Sequence, residues 1–302
     1  MGKFSGVLIV SDYDNTMAFT EGALRRGKEL PTLSSENRRA IEYFMAEGGI
    51  FSVATGRALP SFSRVCADLP MNGPTVLFNG AAIYDFSAKQ YLHTAFLDPA
   101  VLPYVAEVLA AWPDAAAEIY HDDDTIHALQ PNRLTEIHLN LTHTPTQILS
   151  SVEEVPLPVS KVLFEIEAER VDELCDYINA QPWVQDYERV LPSSAFFVEL
   201  TAKGANKGDM VDKLRRMLHI EPQHLYCVGD HANDVGMLRR SAIPFAPENA
   251  IDAVKNVEGI HMLPHAEHHA IAAMIEVLDK RYCDDRKILH KARSENFNLT
   301  GR

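Results

Sequence analysis

The stretch Leu8 to Thr16, LIVSDYDNT, constrains the fold of this chain more than any other. The apolar run Val7 to Val10 predicts a strand buried on both faces, as in a parallel sheet covered by helices. It runs into two carboxylates, Asp12 and Asp14, one residue apart. That puts both at a strand's carboxyl tip, where ligands bind in open α/β sheets, and the alternation of an extended backbone points them the same way. Two such carboxylates repel unless a cation or a proton joins them. A hard cation such as Mg²⁺ resolves this with oxygen ligands and leaves positions for water and phosphate. For Asp-x-Asp alone a solvated turn stays open as the plain alternative. A calcium loop fits poorly, because its sixth position would be Met17 instead of Gly and its twelfth Ala23 instead of Glu.

With 302 residues, 46% hydrophobic and 23% charged, the chain is long enough for two cores. The formal net charge of −14 argues against wholesale attraction to nucleic acid or to an anionic membrane surface. An anionic substrate must then be held by local cations. No stretch approaches the roughly 20 apolar residues of a membrane span, and no leader with a cleavage site opens the sequence. A cytoplasmic protein is the expectation. Cys66, Cys175, Cys227 and Cys283 lie far apart with no Cys-x-x-Cys pair, so they read as reduced thiols. Oligomeric state is left open.

Along the chain, Ser34 or Ser35 is a candidate cap for a helix through Glu47, stopped by Gly48 and Gly49. Ile50 to Ala54 predicts a second strand ending in Thr55-Gly56-Arg57, where a hydroxyl and a glycine backbone suit a phosphate oxygen. A helix from about Ser61 to Leu69 leads to a third strand, Thr75 to Phe78, followed by Asn79-Gly80. Strand and helix alternating in this way predict right-handed parallel units. From Asp85 to Val198 the pattern changes, with helical periods at Ala100 to Ala111 and Val171 to Asn179 and strand-like runs at Ile137 to Leu141, Val162 to Ile166 and Phe196 to Leu200. Parallel units then resume with Lys207-Gly208 opening a helix Asp209 to Leu218, a strand Leu225 to Val228 tipped by Gly229-Asp-His-Ala-Asn-Asp234, a short strand Ile243 to Ala246, and a last amphipathic helix from Ala270 to Leu278. The expected fold class is α/β, a Rossmann-like parallel sheet core (residues 1–84 and 199–302) with an inserted α+β cap domain (85–198). The tail beyond Arg281 has no apolar period and is expected to be loosely held.

The order of DYDNT (Asp12 to Thr16), ATGR (Ala54 to Arg57), a lysine followed by Gly at Lys207, and GDxxND (Gly229 to Asp234) resembles the haloacid dehalogenase-like hydrolases, a superfamily dominated by phosphatases. FNGAAIYD (Phe78 to Asp85) and PENAIDAVK (Pro247 to Lys255) are similar to the Cof-type branch, sugar-phosphate phosphatases with a large α/β cap after the third strand. Asn15 departs from the pattern, where Gly is commonest; sucrose-phosphate phosphatases also carry Asp-x-Asp-Asn-Thr.

The resemblance implies a Mg²⁺-dependent phosphatase of small phosphorylated metabolites. Asp12 would be the nucleophile, forming an aspartyl-phosphate, and Asp14 the general acid and base. Asp12, Asp14 (through its backbone carbonyl), Asp230 and Asp234 would hold the metal. Tyr13 (through its amide), Thr55, Gly56, Lys207 and Asn233 would bind the phosphoryl group. Arg57 and Asn79 are possible substrate contacts, Arg57 equally a tie between its loop and a carboxylate. In the cap His127, Arg133, His138, Asn140 and His143 are polar candidates for the leaving group. A phosphomutase and, from another class, a phospho-accepting receiver module are the alternatives; the latter lacks both the Asp-x-Asp loop and a large insertion. The runs His121-Asp-Asp-Asp124 and His265-Ala-Glu-His-His269 look like metal clusters but read as solvated charge and a surface patch, and Trp112 and Trp183 as packing residues.

Overall fold

The computed structural model describes residues 2–22, 31–122, 125–142 and 144–283. Its first strand, β1 (Leu8–Ser11), is buried along its whole length. Val7 and Ile9 join one apolar cluster with Phe44, Phe51 and Met274, while Leu8 and Val10 join another with Val211, Leu214 and Met237. Alternation along a single strand thus feeds two cores. Each such aliphatic side chain contributes roughly 1.5–3 kcal/mol by leaving water.

Next come helix Ser35–Ala46 and β2 (Ile50–Val53). Ser34 caps the helix, accepting the Asn37 N–H at 3.2 Å. Helix Leu59–Cys66 then leads to β3 (Thr75–Leu77), which touches the end of β2 through a parallel bridge, Ala54 to Val76. Strands β4 (Ala82–Asp85) and β5 (Gln90–Thr94) fold back antiparallel on β3.

Helix Val101–Ala111, β6 (Ala116–Tyr120), β7 (Ile126–Leu129), helix Arg133–Thr142, β8 (Thr146–Leu149), β9 (Lys161–Glu165), helix Val171–Asn179, β10 (Leu191–Pro192) and β11 (Phe197–Thr201) follow. Their six-stranded sheet runs β10-β11-β9-β6-β7-β8. One face, with Ala117, Ile119, Val162, Phe164, Val198 and Leu200, packs in an apolar core that includes residues of helices Val101–Ala111 and Val171–Asn179. By alternation the opposite face carries Glu118, Tyr120, Lys161, Glu165, Phe197 and Glu199. The chain then returns through helix Lys207–Met217 to β12 (Leu225–Val228), β13 (Pro244–Pro247) and β14 (His261–Leu263), completing a parallel sheet of order β14-β13-β12-β1-β2. Residues 270–283 are helical.

Two expectations are corrected. Ile137 to Leu141, read as a strand, lies within helix Arg133–Thr142. The reason is local: Asn132 Oδ1 accepts the N–H groups of Leu134 (2.8 Å) and Thr135 (3.1 Å), an N-cap that the alternation of Ile137, Leu139 and Leu141 obscured. His121, grouped with solvated charge, is buried, its Nδ1 2.8 Å from the Pro158 carbonyl and its Nε2 2.8 Å from His127 Nδ1. Asp123, Asp124, His143 and the tail from residue 284 lie outside the described residues. Trp112 and Trp183 are packed in the core of the six-stranded sheet, Trp183 stacked on Tyr104.

Candidate active site

Parallel pairing of β1 with β12, Ser11 opposite Val228, brings their carboxyl tips side by side. Asp12 follows one strand and Gly229-Asp230 the other, and the Asp12 N–H donates to the Val228 carbonyl at 2.9 Å. The carboxylates of Asp12, Asp230 and Asp234, all buried, offer ligand atoms within 4.8 Å of one another. Lys207, first residue of its helix and fully buried, donates to Asp12 Oδ1 at 2.6 Å and to Asp234 Oδ1 at 2.7 Å. Thr16 donates to Asp230 Oδ1 at 2.9 Å.

Glycine is required at position 229, because a Cβ there would meet the Asp234 carboxyl carbon at 2.5 Å. Its absence lets Asp234 Oδ2 lie over the turn and accept the Asp230 and His231 N–H groups, each at 3.0 Å. Asp234 therefore braces Lys207 and the loop, while Asp12 and Asp230 keep oxygens for a ligand. Gly80 has φ +113 and a Cβ there would lie 2.4 Å from the Asn206 backbone, so this turn seats against the residue preceding Lys207. Asn15 adopts φ 58, a left-handed conformation that Gly takes freely and Asn tolerates better than most residues. Its Oδ1 accepts the Glu21 N–H and its carbonyl accepts from Asn249. The departure from Gly at this position is thereby accommodated.

Burial pushes the Asp12 carboxyl up to about 7; Lys207 pulls it down, and Asp234 and Asp14 add to the rise. Burial, with Asp12 and Asp234 beside it, holds Asp230 well above the usual carboxylate range. A dication fits this set: hard oxygen donors, three carboxylates against one lysine, and charge repulsion that a cation would relieve. The Asp14 carboxylate points elsewhere, accepting from Arg57 Nε at 2.8 Å and Nη2 at 2.7 Å and from Thr20 at 2.8 Å. Burial raises its pKa, but Arg57 and Thr20 outweigh that and hold it below the usual range.

Asp12, Asp14, Gly56, Arg57, Lys207, Asp230 and Asn233 line one cleft of about 610 Å³. Tyr13, Thr55, Asn79 and Asp234 are buried beside it. Arg57 lies over the Tyr13 ring at 5.2 Å, Thr55 Oγ1 accepts the Arg57 N–H, and Asn79 Oδ1 accepts from Asn233 Nδ2 at 2.9 Å. Arg57 is thus, in this arrangement, a tie to Asp14.

The opposite wall comes from the six-stranded sheet and helix Arg133–Thr142, with Tyr120, Arg133, His138, Lys161, Phe197 and Glu199. Lys161 donates to the Gly56 carbonyl at 2.9 Å and pairs with Glu199 at 3.1 Å, linking the two walls. Arg133 pairs with Glu167, Asn140 is exposed, and His127 is buried against His121. His138 sits against two fully buried carboxylates, Glu118 at 3.0 Å and Glu165 at 3.4 Å. Burial lowers its pKa, but the two carboxylates outweigh that and push it up to about 10. Glu118, Lys161, Glu165 and Glu199 were not singled out from the sequence. Their signal was a charge at alternate positions of apolar strands, as in KVLFE and FVELT, a pattern ordinarily facing solvent.

The family model for haloacid dehalogenase-like hydrolases matches residues 9–275. Among curated proteins of Bacillus subtilis (strain 168), the 5-amino-6-(5-phospho-D-ribitylamino)uracil phosphatase YitU is 26% identical over 266 residues, covering 83% of this chain and 89% of its own. The phosphatase YwpJ is 23% identical over 290 residues, covering 85% and 97%. Of solved structures, a haloacid dehalogenase-like hydrolase from Bacteroides thetaiotaomicron superposes with TM-score 0.73 at 20% identity, covering 90% of this chain and 99% of that one. A sugar phosphatase of subclass IIB gives 0.74 at 21% identity, with the same coverage. These structural likenesses establish the fold. With the family match running over nearly the whole chain, the protein belongs to the haloacid dehalogenase-like hydrolases.

Proposed function

We propose that this hydrolase is a Mg²⁺-dependent phosphatase of small phosphorylated metabolites, sugar phosphates or similar phosphomonoesters, working through an aspartyl-phosphate. The observation that carries the reading is Lys207 bridging Asp12 and Asp234 at the tips of β1 and β12, with Asp230 alongside and the cleft open above. Phosphoryl transfer asks for positioning and charge neutralisation more than for exotic groups. An Asp12 carboxylate oxygen attacks phosphorus, the ester P–O bond breaks, and the leaving alkoxide takes a proton from Asp14. Water then gives a proton to Asp14 and attacks the same phosphorus, breaking the acyl-phosphate bond and releasing inorganic phosphate. Lys207 neutralises nucleophile and phosphoryl oxygens, with the Tyr13 and Gly56 amides, Thr55 and Asn233 as further donors. Asp12, Asp230 and the Asp14 carbonyl, with Asp234 close by, would hold Mg²⁺, which would supply positive charge to the phosphoryl oxygens.

Asp14 is braced as a carboxylate by Arg57, so its turn as acid requires that pair to loosen when substrate enters. The segment 85–198 is assigned the selection of the leaving group, through Tyr120, Lys161, Phe197 and Glu199 on the cleft wall. YitU, by its name, acts on a phosphorylated ribitylaminouracil, and sugar phosphates are the substrates of the subclass IIB neighbour, which places both kinds of ester in the first test panel. Phosphate release measured across a metabolite panel with Mg²⁺ tests the reading. Turnover of at least one small phosphomonoester, abolished by EDTA and restored by Mg²⁺, is expected. Metal-independent turnover would refute it.

A further inference from the structure

Glu118 on β6, Glu165 on β9 and His138 on helix Arg133–Thr142 form a second cluster, separate from the carboxylates at the strand tips. Its construction is specific. Glu118 Oε2 accepts the Tyr120 hydroxyl at 2.6 Å and Glu165 Oε2 accepts the Thr135 hydroxyl, so each carboxylate is oriented through one oxygen. Both Glu118 oxygens face His138 Nδ1, Oε2 at 3.0 Å and Oε1 at 3.1 Å, Glu165 Oε1 lies 3.4 Å from it, and the donor atoms of all three residues lie within 4.8 Å of one another. Four-coordinate Zn²⁺ holds nitrogen and oxygen donors at about 2.0–2.2 Å, which sets its ligands roughly 3.4 Å apart.

A second observation points to a missing partner. Glu165 is fully buried, yet among the described residues its Oε1 accepts no close hydrogen bond and meets His138 Nδ1 at 3.4 Å, in a long ion pair. Charge leads the same way. Among the described residues Lys161 is paired with Glu199 and two buried carboxylates face one imidazole, so with both ionised even a protonated ring leaves one negative charge over. A dication replacing the shared proton balances both carboxylates with the ring neutral. The Tyr120 and Thr135 hydroxyls fix the direction of the two carboxylates, as hydrogen bonds to metal ligands do.

We propose that Glu118, His138 and Glu165 form a second metal site, for a borderline dication of the Zn²⁺ type, which ties helix Arg133–Thr142 to the six-stranded sheet beneath the cleft. One imidazole and two carboxylates favour Zn²⁺ over Mg²⁺ here, because Mg²⁺ prefers an all-oxygen octahedron. The inference does not depend on the reaction assigned to the strand-tip site.

The test uses the full chain with Asp230→Asn to weaken the other site, stripped with chelator and dialysed against Zn²⁺ alone. About one retained equivalent is expected, lost on adding Glu165→Gln. X-ray absorption of the Asp230→Asn protein should show a nitrogen and oxygen shell with a single imidazole, and this readout decides the question even where Glu165→Gln does not fold. No retained zinc, zinc retained equally by both variants, or a shell with more than one imidazole would overturn the proposal.

Discussion

Among the described residues two buried clusters hold more carboxylates than cations, and they are built in different ways. At the strand tips, Asp12 and Asp230 leave parallel neighbours at the point where the backbone turns, and Lys207 and Thr16 are the bonded partners of these carboxylates. In the other sheet Glu118 and Glu165 sit within β6 and β9, on the face whose reverse is apolar core, and helix Arg133–Thr142 brings His138 against them. A strand tip offers turning backbone, helix starts and open space to a ligand. A mid-strand charge has only its own face and must be covered. The first arrangement suits a reacting phosphate, which comes and goes; the second suits a bond that holds two elements together.

The contrast is broken or sharpened by substitutions on each side. The largest effect belongs to Asp12→Asn, expected to lower kcat by at least about 10³-fold with the fold intact, measured as phosphate release against a chromogenic ester. Lys207→Met should follow at roughly 10²–10³-fold, and its melting temperature should also fall, because Asp12 and Asp234 lose their shared cation inside the protein. Arg57→Leu frees the Asp14 carboxylate and should lower kcat by about tenfold while shifting the acid limb of the kcat profile upward, since Asp14 loses the charge that holds its pKa down. An unshifted limb would detach Arg57 from Asp14 chemistry. On the side of the six-stranded sheet Asn132→Ala removes the N-cap of helix Arg133–Thr142 and should cost about 1 kcal/mol, seen in denaturant unfolding.

A surface pair sets the scale below these. Burial works against the Asp279 charge, but hydrogen bonds from Lys3 and Tyr43 together outweigh it and hold the carboxyl below the usual range. A depressed folded pKa contributes stability above the unfolded value of 3.8 and loses it as pH falls through the folded value. Lys3→Met should therefore destabilise by less than about 1 kcal/mol at neutral pH, and the difference from the unmutated protein should vanish in acid.

The same difference in construction explains what could be read from the sequence. Asp12 and Asp230 were legible because a strand tip leaves a linear signature, an apolar run, then polar residues and glycines in a short turn, while Lys207, at a helix start, was picked out by the family resemblance. The apolar strand β12 and the Gly229 turn were found for that reason. The second cluster was not, because Glu118 in AAEIY and Glu165 in KVLFE are single charges in alternation, indistinguishable from a solvated sheet face until the covering helix is known. That helix was itself misread as a strand, so the element that buries both glutamates was missing from the expectation. Helix Val171–Asn179, whose apolar period stands unbroken, was read to the residue. Arg57 was left between two roles, since a guanidinium at a strand tip suits phosphate and carboxylate alike, and only the bidentate contact with Asp14 distinguishes them.

The most direct test of the account is to trap the reaction on the protein. Borohydride added during steady-state turnover reduces an acyl-phosphate of aspartate to homoserine, which peptide mass spectrometry locates. The account predicts homoserine at position 12, dependent on substrate and Mg²⁺ and missing from position 14. Continued phosphate release with Asp12 unmodified, or the label at Asp14 or Asp230, would contradict it.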